Sequence, residues 1–220
     1  MATSPVRRLL ADRAYDALKI SLQSGAYPPG SFLSERQLAA RLGMSKTPLK
    51  SALVRLEQEG FVRISPQQGI VVREPSVQEV SDLFDLREAI ETFAVRRLAG
   101  HLAPVDADLL RANLKAQAKA IREKDAAEAT RLDTEFHTLV CGCLGNRELS
   151  KSLAGMRDKL NALILTNLTR VPERMAVSYK EHAAIAAALF KGRGEEAAEL
   201  VRKHLDYGRQ FVLNRNRIPS

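Results

Sequence analysis

Residues 29–62 read PGSFLSERQLAARLGMSKTPLKSALVRLEQEGFV, and this stretch decides the fold of the N-terminal part of the chain. Apolar side chains recur at helical spacing on both sides of Gly43, a residue that tolerates the left-handed backbone at a helix end. The pattern predicts a short helix beginning at Ser34, where Ser34 to Gln37 match a capping box, and a second helix capped by Ser45. Two helices joined by a tight glycine turn are the parts of a helix-turn-helix.

The flanking segments predict a winged form of this motif. Residues 6–24 carry leucine and alanine at helical spacing, which indicates a supporting helix. Two short β-prone runs, 61–64 and 70–73, enclose a turn-rich connection and indicate a hairpin. Because the last helix of such a motif enters the DNA major groove, we expect residues 1–75 to bind double-stranded DNA.

Composition and charge fit this expectation. The 220 residues have a net charge of +8, and residues 1–75 hold 11 lysines and arginines against 6 acidic residues, whereas residues 76–220 hold 23 against 20. This distribution favours a polyanionic partner for the N-terminal part. Aromatic residues are only 5% of the chain, which leaves few platforms for single-stranded bases. The sequence contains neither a long apolar run nor the apolar core of a signal peptide, which predicts a cytoplasmic protein.

Candidate DNA contacts lie at the start of the two helices and at the hairpin turn. Lys46, Thr47 and Lys50 occupy the N-terminal part of the third predicted helix, opposite its leucines. The hairpin turn offers glutamines and a glycine that lets the backbone approach a groove. The expected contacts are Arg36, Ser45, Lys46, Thr47, Lys50, Gln68 and Gly69. Two alternatives stay open at this point: a merely solvated lysine face, and a helix-turn-helix used for protein contacts.

The rest of the chain predicts helices alone. A short linker, Glu74-Pro75-Ser76, separates the two parts, since proline disfavours helix before it and serine can cap the helix after it. The predicted fold is mainly α, with a winged helix-turn-helix in residues 1–75 and an all-α bundle in residues 76–220. Cys141 and Cys143 lack the partners of a four-cysteine zinc site and are expected to be reduced packing residues. The six expected helices are 77–102, 104–122, 125–143, 146–170, 174–191 and 195–215.

Three histidines and one aspartate suggest a metal site in this bundle. Asp133 and His137 are four residues apart, so both side chains lie on one helical face. His182 and His204 lie in the last two predicted helices. A single histidine is more often a surface or core residue, but three imidazoles and a carboxylate converging from three helices would bind a transition metal with positions left open.

Both parts of the chain resemble one family. Residues 29–62 are similar to the N-terminal domain of the GntR family of bacterial regulators. Residues 77–213 resemble the FCD domain, the effector domain of the FadR-type branch. Many such domains carry an Asp-x-x-x-His pair, a later histidine before an alanine-rich helix and a final histidine followed by leucine, and this sequence matches each position. The six-helix count and the short linker favour the VanR-like subgroup.

The resemblance implies particular contacts with operator DNA. The family positions correspond to Arg36, Lys46, Thr47, Lys50 and Gly69. The chain departs from the family at Lys46 and Lys50, where arginine is usual. Arginine grips guanine with a planar fork and lysine is a point charge, so base discrimination is expected to be weaker or the preferred half-site altered.

The resemblance also implies a metal and an effector. One divalent transition metal per chain, zinc before nickel or manganese, would be held by Asp133, His137, His182 and His204 at the floor of a cavity. A small organic acid would bind there with help from Arg87, against the alternative of an Arg87–Glu91 pair on a helix surface. Asn167 is a further candidate contact, and weaker candidates are Thr166, Asn161 and Arg170. The alternative for all four is a position on an exposed helix face or end.

These observations predict a homodimeric transcriptional regulator, a repressor by family habit, that binds an inverted repeat and associates with the bacterial nucleoid when on DNA. Two alternatives remain open. A metalloenzyme with an appended DNA-binding domain would use the open metal positions, although Glu135 points away from the Asp133 and His137 face and leaves no obvious general base. A regulator whose effector is the metal ion itself is the other.

Overall fold

The computed structural model describes residues 5–65 and 69–214, except for the side chains of residues 5–8, 162, 166, 169 and 170. The chain divides into two compact units, Met1–Pro75 and Ser76–Ser220. Within the described ranges, no helix combines the length and apolar composition that a membrane span requires. The fold is mainly α with one small antiparallel sheet, which confirms the predicted class.

The N-terminal unit is a helix-turn-helix with a supporting helix and a wing. Its three-stranded sheet has the order β1-β3-β2, and Ile70 pairs with Leu33 on one side and Ile64 on the other. Strand β1 was not predicted, because a two-residue strand shows no alternation. The elements are α1 (Pro5–Gln23), β1 (Phe32–Leu33), α2 (Glu35–Leu42), α3 (Lys46–Gln58), β2 (Val62–Ser65) and β3 (Gly69–Val72).

The sequence predicted where the helix caps lie, but not always which hydrogen bonds the capping side chains make. Gly43 ends α2 in the left-handed region, with φ of 61°. The predicted capping box of α2 is wrong, since the Ser34 side chain makes no cap hydrogen bond. Ser34 directly follows β1, whose pairing with β3 already determines how the backbone enters the helix. A complete capping box forms instead at Ser76, whose hydroxyl accepts from the Glu79 amide at 3.1 Å while the Glu79 carboxylate accepts from the Ser76 amide at 2.9 Å.

The C-terminal unit is an all-helical bundle in its described part. Phe84, Leu110, Phe136, Leu160 and Ile185 are buried in its main core. Cys141 is a buried free thiol in the same core and Cys143 is a partly buried one, as expected for packing residues. The helices are α4 (Val77–Leu98), α5 (Pro104–Arg122), α6 (Ala126–Gly142), α7 (Arg147–Arg170), α8 (Glu173–Phe190) and α9 (Gly194–Leu213).

Candidate metal centre and DNA-binding surface

The predicted DNA contacts that the structure describes lie on the exposed face of the winged unit. Arg36, Lys46 and Gly69 line one open groove between the start of α2, the start of α3 and the wing. Gly69 has φ of 81°, a conformation that favours glycine. Gln68 lies outside the described residues. Phe32 is 70% exposed and also lines the groove. It was not predicted to lie there, because strand β1, which carries it, was not predicted.

The start of α3 presents the remaining candidates to solvent. Ser45, Thr47 and Lys50 are exposed, while Pro48 and Leu49 between them are buried. Ser45 occupies the N-cap position, but its side chain makes no cap hydrogen bond. The buried and exposed faces of α3 therefore separate the packing residues from the basic ones, which is the arrangement that groove docking requires.

The four predicted metal ligands meet in the helical unit. Asp133 and His137 come from α6, His182 from α8 and His204 from α9. One ligand atom from each lies within 4.8 Å of all the others. His204 Nε2 is 3.3 Å from His182 Nε2 and 3.2 Å from His137 Nε2, and the Asp133 carboxylate is 3.5 Å from His182 Nε2.

Each imidazole is oriented by an acceptor on its other nitrogen. Glu91 faces His137 Nδ1 at 2.5 Å, Gln117 faces His182 Nδ1 at 3.0 Å, and Glu181 faces His204 Nδ1 at 2.7 Å. Because these partners accept, the Nδ1 atoms carry the protons and donate. Three unprotonated Nε2 atoms then face one another, and their lone pairs repel unless a cation lies between them. This donor set fits a divalent transition metal.

Two of the histidines are held in the neutral form that coordination needs. Burial, with His204 and Arg157 nearby, lowers the pKa of His182 to about 3. Burial, with Arg157 and Arg87 nearby, lowers the pKa of His137 well below its usual value. The aspartate is positioned by two donors: Arg157 donates to Asp133 Oδ2 at 2.9 Å and Ser178 donates to Oδ1 at 3.0 Å.

A shell of charged and polar side chains, most of them buried, surrounds the cluster. Arg87 pairs with Glu91 at 2.8 Å with both side chains at most 3% exposed, so the alternative of a surface pair is wrong. Arg174 pairs with Glu181 at 2.7 Å. Most of this shell was not predicted, because its members come from four helices, and the sequence does not show which faces of separate helices pack against one another. The residues not predicted are Gln117, Arg157, Arg174, Ser178 and Glu181, while Glu91 was considered only as a partner of Arg87.

A cavity of about 50 Å³ adjoins the cluster, and both Asp133 and His204 line it. Arg87 and Arg174 line it too, and Arg87 Nη2 and Arg174 Nη1 are buried without a hydrogen-bond partner among the described residues. Unpaired buried guanidinium N–H groups are costly, which points to an acceptor that binds there.

The other candidate ligand contacts are not among the residues that line this cavity, or their side chains are not described. Asn167 is completely buried rather than exposed, it is not among the residues that line the cavity, and its Nδ2 donates to the Phe211 carbonyl at 3.1 Å. Asn161 accepts from Thr134 at 3.1 Å. The side chains of Thr166 and Arg170 are outside the described residues.

Comparison with known proteins identifies the family. Residues 10–72 match the family model described as bacterial regulatory proteins, gntR family, and residues 82–207 match the model of the FCD domain. The chain belongs to the gntR family of bacterial regulatory proteins. The Nta operon transcriptional regulator of Aminobacter aminovorans is 30% identical over 81% of this chain and 83% of that protein. The HTH-type transcriptional repressor RspR of Escherichia coli is 27% identical over 92% of this chain and 87% of that protein.

Solved structures agree on the fold. E. coli McbR/YncC aligns with a TM-score of 0.82 over 98% of this chain and 100% of that chain, at 21% identity. A putative GntR regulator from Rhodococcus sp. RHA1 aligns with a TM-score of 0.82 over 93% and 98% of the two chains, at 18% identity. The chain is therefore a FadR-type transcriptional regulator with a GntR DNA-binding domain and an FCD domain, and its relatives are regulators rather than enzymes. Assignment to the VanR-like subgroup stays a prediction.

Proposed function

We propose that this gntR-family regulator is a metal-dependent repressor that releases DNA when a small organic acid binds its helical domain. The observation that carries the proposal is the cluster of three Nε2 atoms and one carboxylate beside a cavity with unpaired arginine N–H groups. Three nitrogen ligands and one oxygen ligand suit zinc first, with nickel or manganese as alternatives. When bound, the metal supplies a Lewis-acidic anchor for a carboxylate. The protein would act in the cytoplasm, on the nucleoid when bound to DNA.

The charge balance of the buried site supports an anionic effector. Three arginines and three carboxylates of the cluster and its shell cancel, so a divalent ion leaves the site with an excess of two positive charges. Excess charge in a buried site is costly unless a counter-ion neutralises it. A carboxylate effector offsets one of these charges and provides the acceptor that the arginines lack. The six charged residues are Arg87, Arg157, Arg174, Glu91, Asp133 and Glu181.

Helix α4 supports coupling between the acid and DNA binding. It carries Arg87 and Glu91 and begins at the residue after the linker Glu74-Pro75-Ser76. A contact with Arg87 therefore acts on the element that is continuous with the DNA-binding domain. Because a ligand shifts an equilibrium only through differential affinity, the acid must favour a state that fits DNA less well.

The first test is a thermal-shift screen of the metal-loaded protein. We expect organic acids to raise the melting temperature, because a ligand that binds only the folded state stabilises it. In Arg87→Met the guanidinium is gone and the shift should fall by most of its size, while Arg122→Met, which changes an exposed arginine of the same domain, should leave it intact. Equal shifts in both variants would contradict the role of Arg87.

An exposed stripe on α4 supports the proposed homodimer. Leu86 and Phe93 are each 49% exposed and lie two helical turns apart on one face. Asp82 extends this stripe at its N-terminal end and Arg97 at its C-terminal end, and both are exposed. Antiparallel pairing of two copies about a two-fold axis would set leucine against phenylalanine and aspartate against arginine. Each winged domain of such a dimer would read one half of an inverted repeat.

Placing a charge in the stripe should separate the dimer. We expect Phe93→Asp to be monomeric in light scattering coupled to size-exclusion chromatography, because two buried carboxylates would face an apolar surface. Leu109→Asp on α5 is the matched control, since Leu109 is 48% exposed, and it should remain dimeric. A dimeric Phe93→Asp protein with the stability of the unmodified protein would rule out this interface.

A further inference from the structure

The wall of the helical-domain cavity specifies the class of acid more closely, and this inference rests on the proposed function. Among the side chains that the structure describes, every polar one that lines the cavity belongs to the metal cluster or its hydrogen-bond shell. Asp133 and His204 are ligands, Ser178 and Gln117 bond directly to a ligand, and the two arginines pair with the carboxylates that orient histidines. Polar groups are therefore concentrated at the metal end.

The rest of the wall, as far as its side chains are described, is apolar. These side chains come from all six helices of the domain, and they place hydrocarbon around the volume that extends away from the metal ligands. They include Phe84, Ile164, Leu168, Met175, Phe211 and Val212.

Few hydrogen-bonding groups are left for a ligand. Gln117 already uses both ends of its amide, donating to Asn113 at 2.6 Å and facing His182 at 3.0 Å. The Ser178 hydroxyl donates to Asp133. Among the described side chains that line the cavity, unpaired buried N–H groups remain on Arg87 and Arg174, both at the metal end. A hydroxyl or second carboxylate in the apolar part would lose its water without gaining a partner.

We infer that the effector is an apolar monocarboxylate. Its carboxylate binds at the metal end against Arg87 and Arg174, and its hydrocarbon body packs on the side chains of α4, α7 and α9. Sugar acids and tricarboxylates carry polar groups for which the apolar part offers no partner. The cavity therefore selects among acids by the rest of the molecule, and it favours those whose part beyond the carboxylate is apolar.

The experiment measures binding of four acids to the metal-loaded full chain by calorimetry: benzoate, hexanoate, gluconate and citrate. We expect benzoate and hexanoate to bind at least about tenfold more tightly than the other two. Tighter binding of gluconate or citrate overturns this inference and leaves the proposed function standing. No binding by any of the four overturns both.

A substitution that fills the apolar part tests the same point from the protein side. Ala129 lines the cavity and is 7% exposed, so Ala129→Leu should reduce benzoate affinity at least about tenfold and leave acetate binding and metal content unchanged. Ala127→Leu adds the same side chain at an exposed position of α6 and should change nothing. If the larger side chain in Ala129→Leu disturbs folding, Phe211→Ala provides a second test. This variant removes part of the apolar wall and should also weaken the binding of benzoate. Unchanged benzoate affinity in both cavity variants would overturn the inference.

Discussion

Replacing His182 and His204 together with alanine is expected to lower the metal content of the purified protein from about one ion per chain to almost none. Both residues contribute an Nε2 atom to the cluster, and both are completely or nearly buried. Their loss leaves Asp133 and His137, and two ligands do not hold a transition metal against competition in the cell. Removing only the outer partner of a metal-bound histidine weakens metal binding by about 10–100-fold, so the loss of two ligands should exceed that.

The control for this experiment is the fourth histidine. His101 is exposed and lies outside the cluster, so His101→Ala should keep full metal content. Metal content is read by inductively coupled plasma mass spectrometry, and circular dichroism checks that the helices persist. Full occupancy in the double variant would show that the ligand set is wrong.

Replacing Arg36 or Lys50 with alanine is expected to weaken DNA binding by about tenfold or more for each residue, with metal content unchanged. Both side chains are exposed, and each lies near the start of a helix of the helix-turn-helix. A lysine that contacts phosphate releases a counter-ion, so Lys50→Ala should also reduce the slope of log affinity against log salt by about one.

The DNA for this measurement is a sequence that the unmodified protein selects from a random library, and fluorescence anisotropy gives the affinity. Arg122→Ala removes one exposed positive charge from the helical domain and should have little effect. Unchanged affinity in both the Arg36 and Lys50 variants would contradict docking of this face in the groove.

Local patterns accounted for the features that were predicted well. Helical periodicity and Gly43 depend on residues close in sequence, and the chain forms α2, the turn and α3 where those signals predict them. Strand β1 depends on pairing with Ile70 and Val71, which lie far along the chain, so two residues alone carry no signal. The missing cap hydrogen bond of Ser34 also depends on this distant pairing, because strand β1 directly before it determines how the backbone enters α2.

The candidate site divides in the same way. The ligands were predictable because Asp133 and His137 share a helical face and because the chain has only four histidines, which leaves few candidates for the other ligands. Their orienting partners were not, because Gln117 and Glu181 meet the histidines only through packing of separate helices. Burial of the Arg87–Glu91 pair likewise depends on how α4 packs, since the same spacing also describes an exposed pair.

Control of DNA binding by the helical domain is tested most directly by the affinity of the metal-loaded protein for its selected DNA with and without saturating benzoate. Occupation of the helical-domain site is predicted to weaken DNA binding by about tenfold or more, which is a typical coupling between two sites. Arg87→Met is predicted to bind DNA normally and to lose this response. The same DNA affinity in the presence and absence of benzoate that is bound to the helical domain would contradict control of the winged domain from this site.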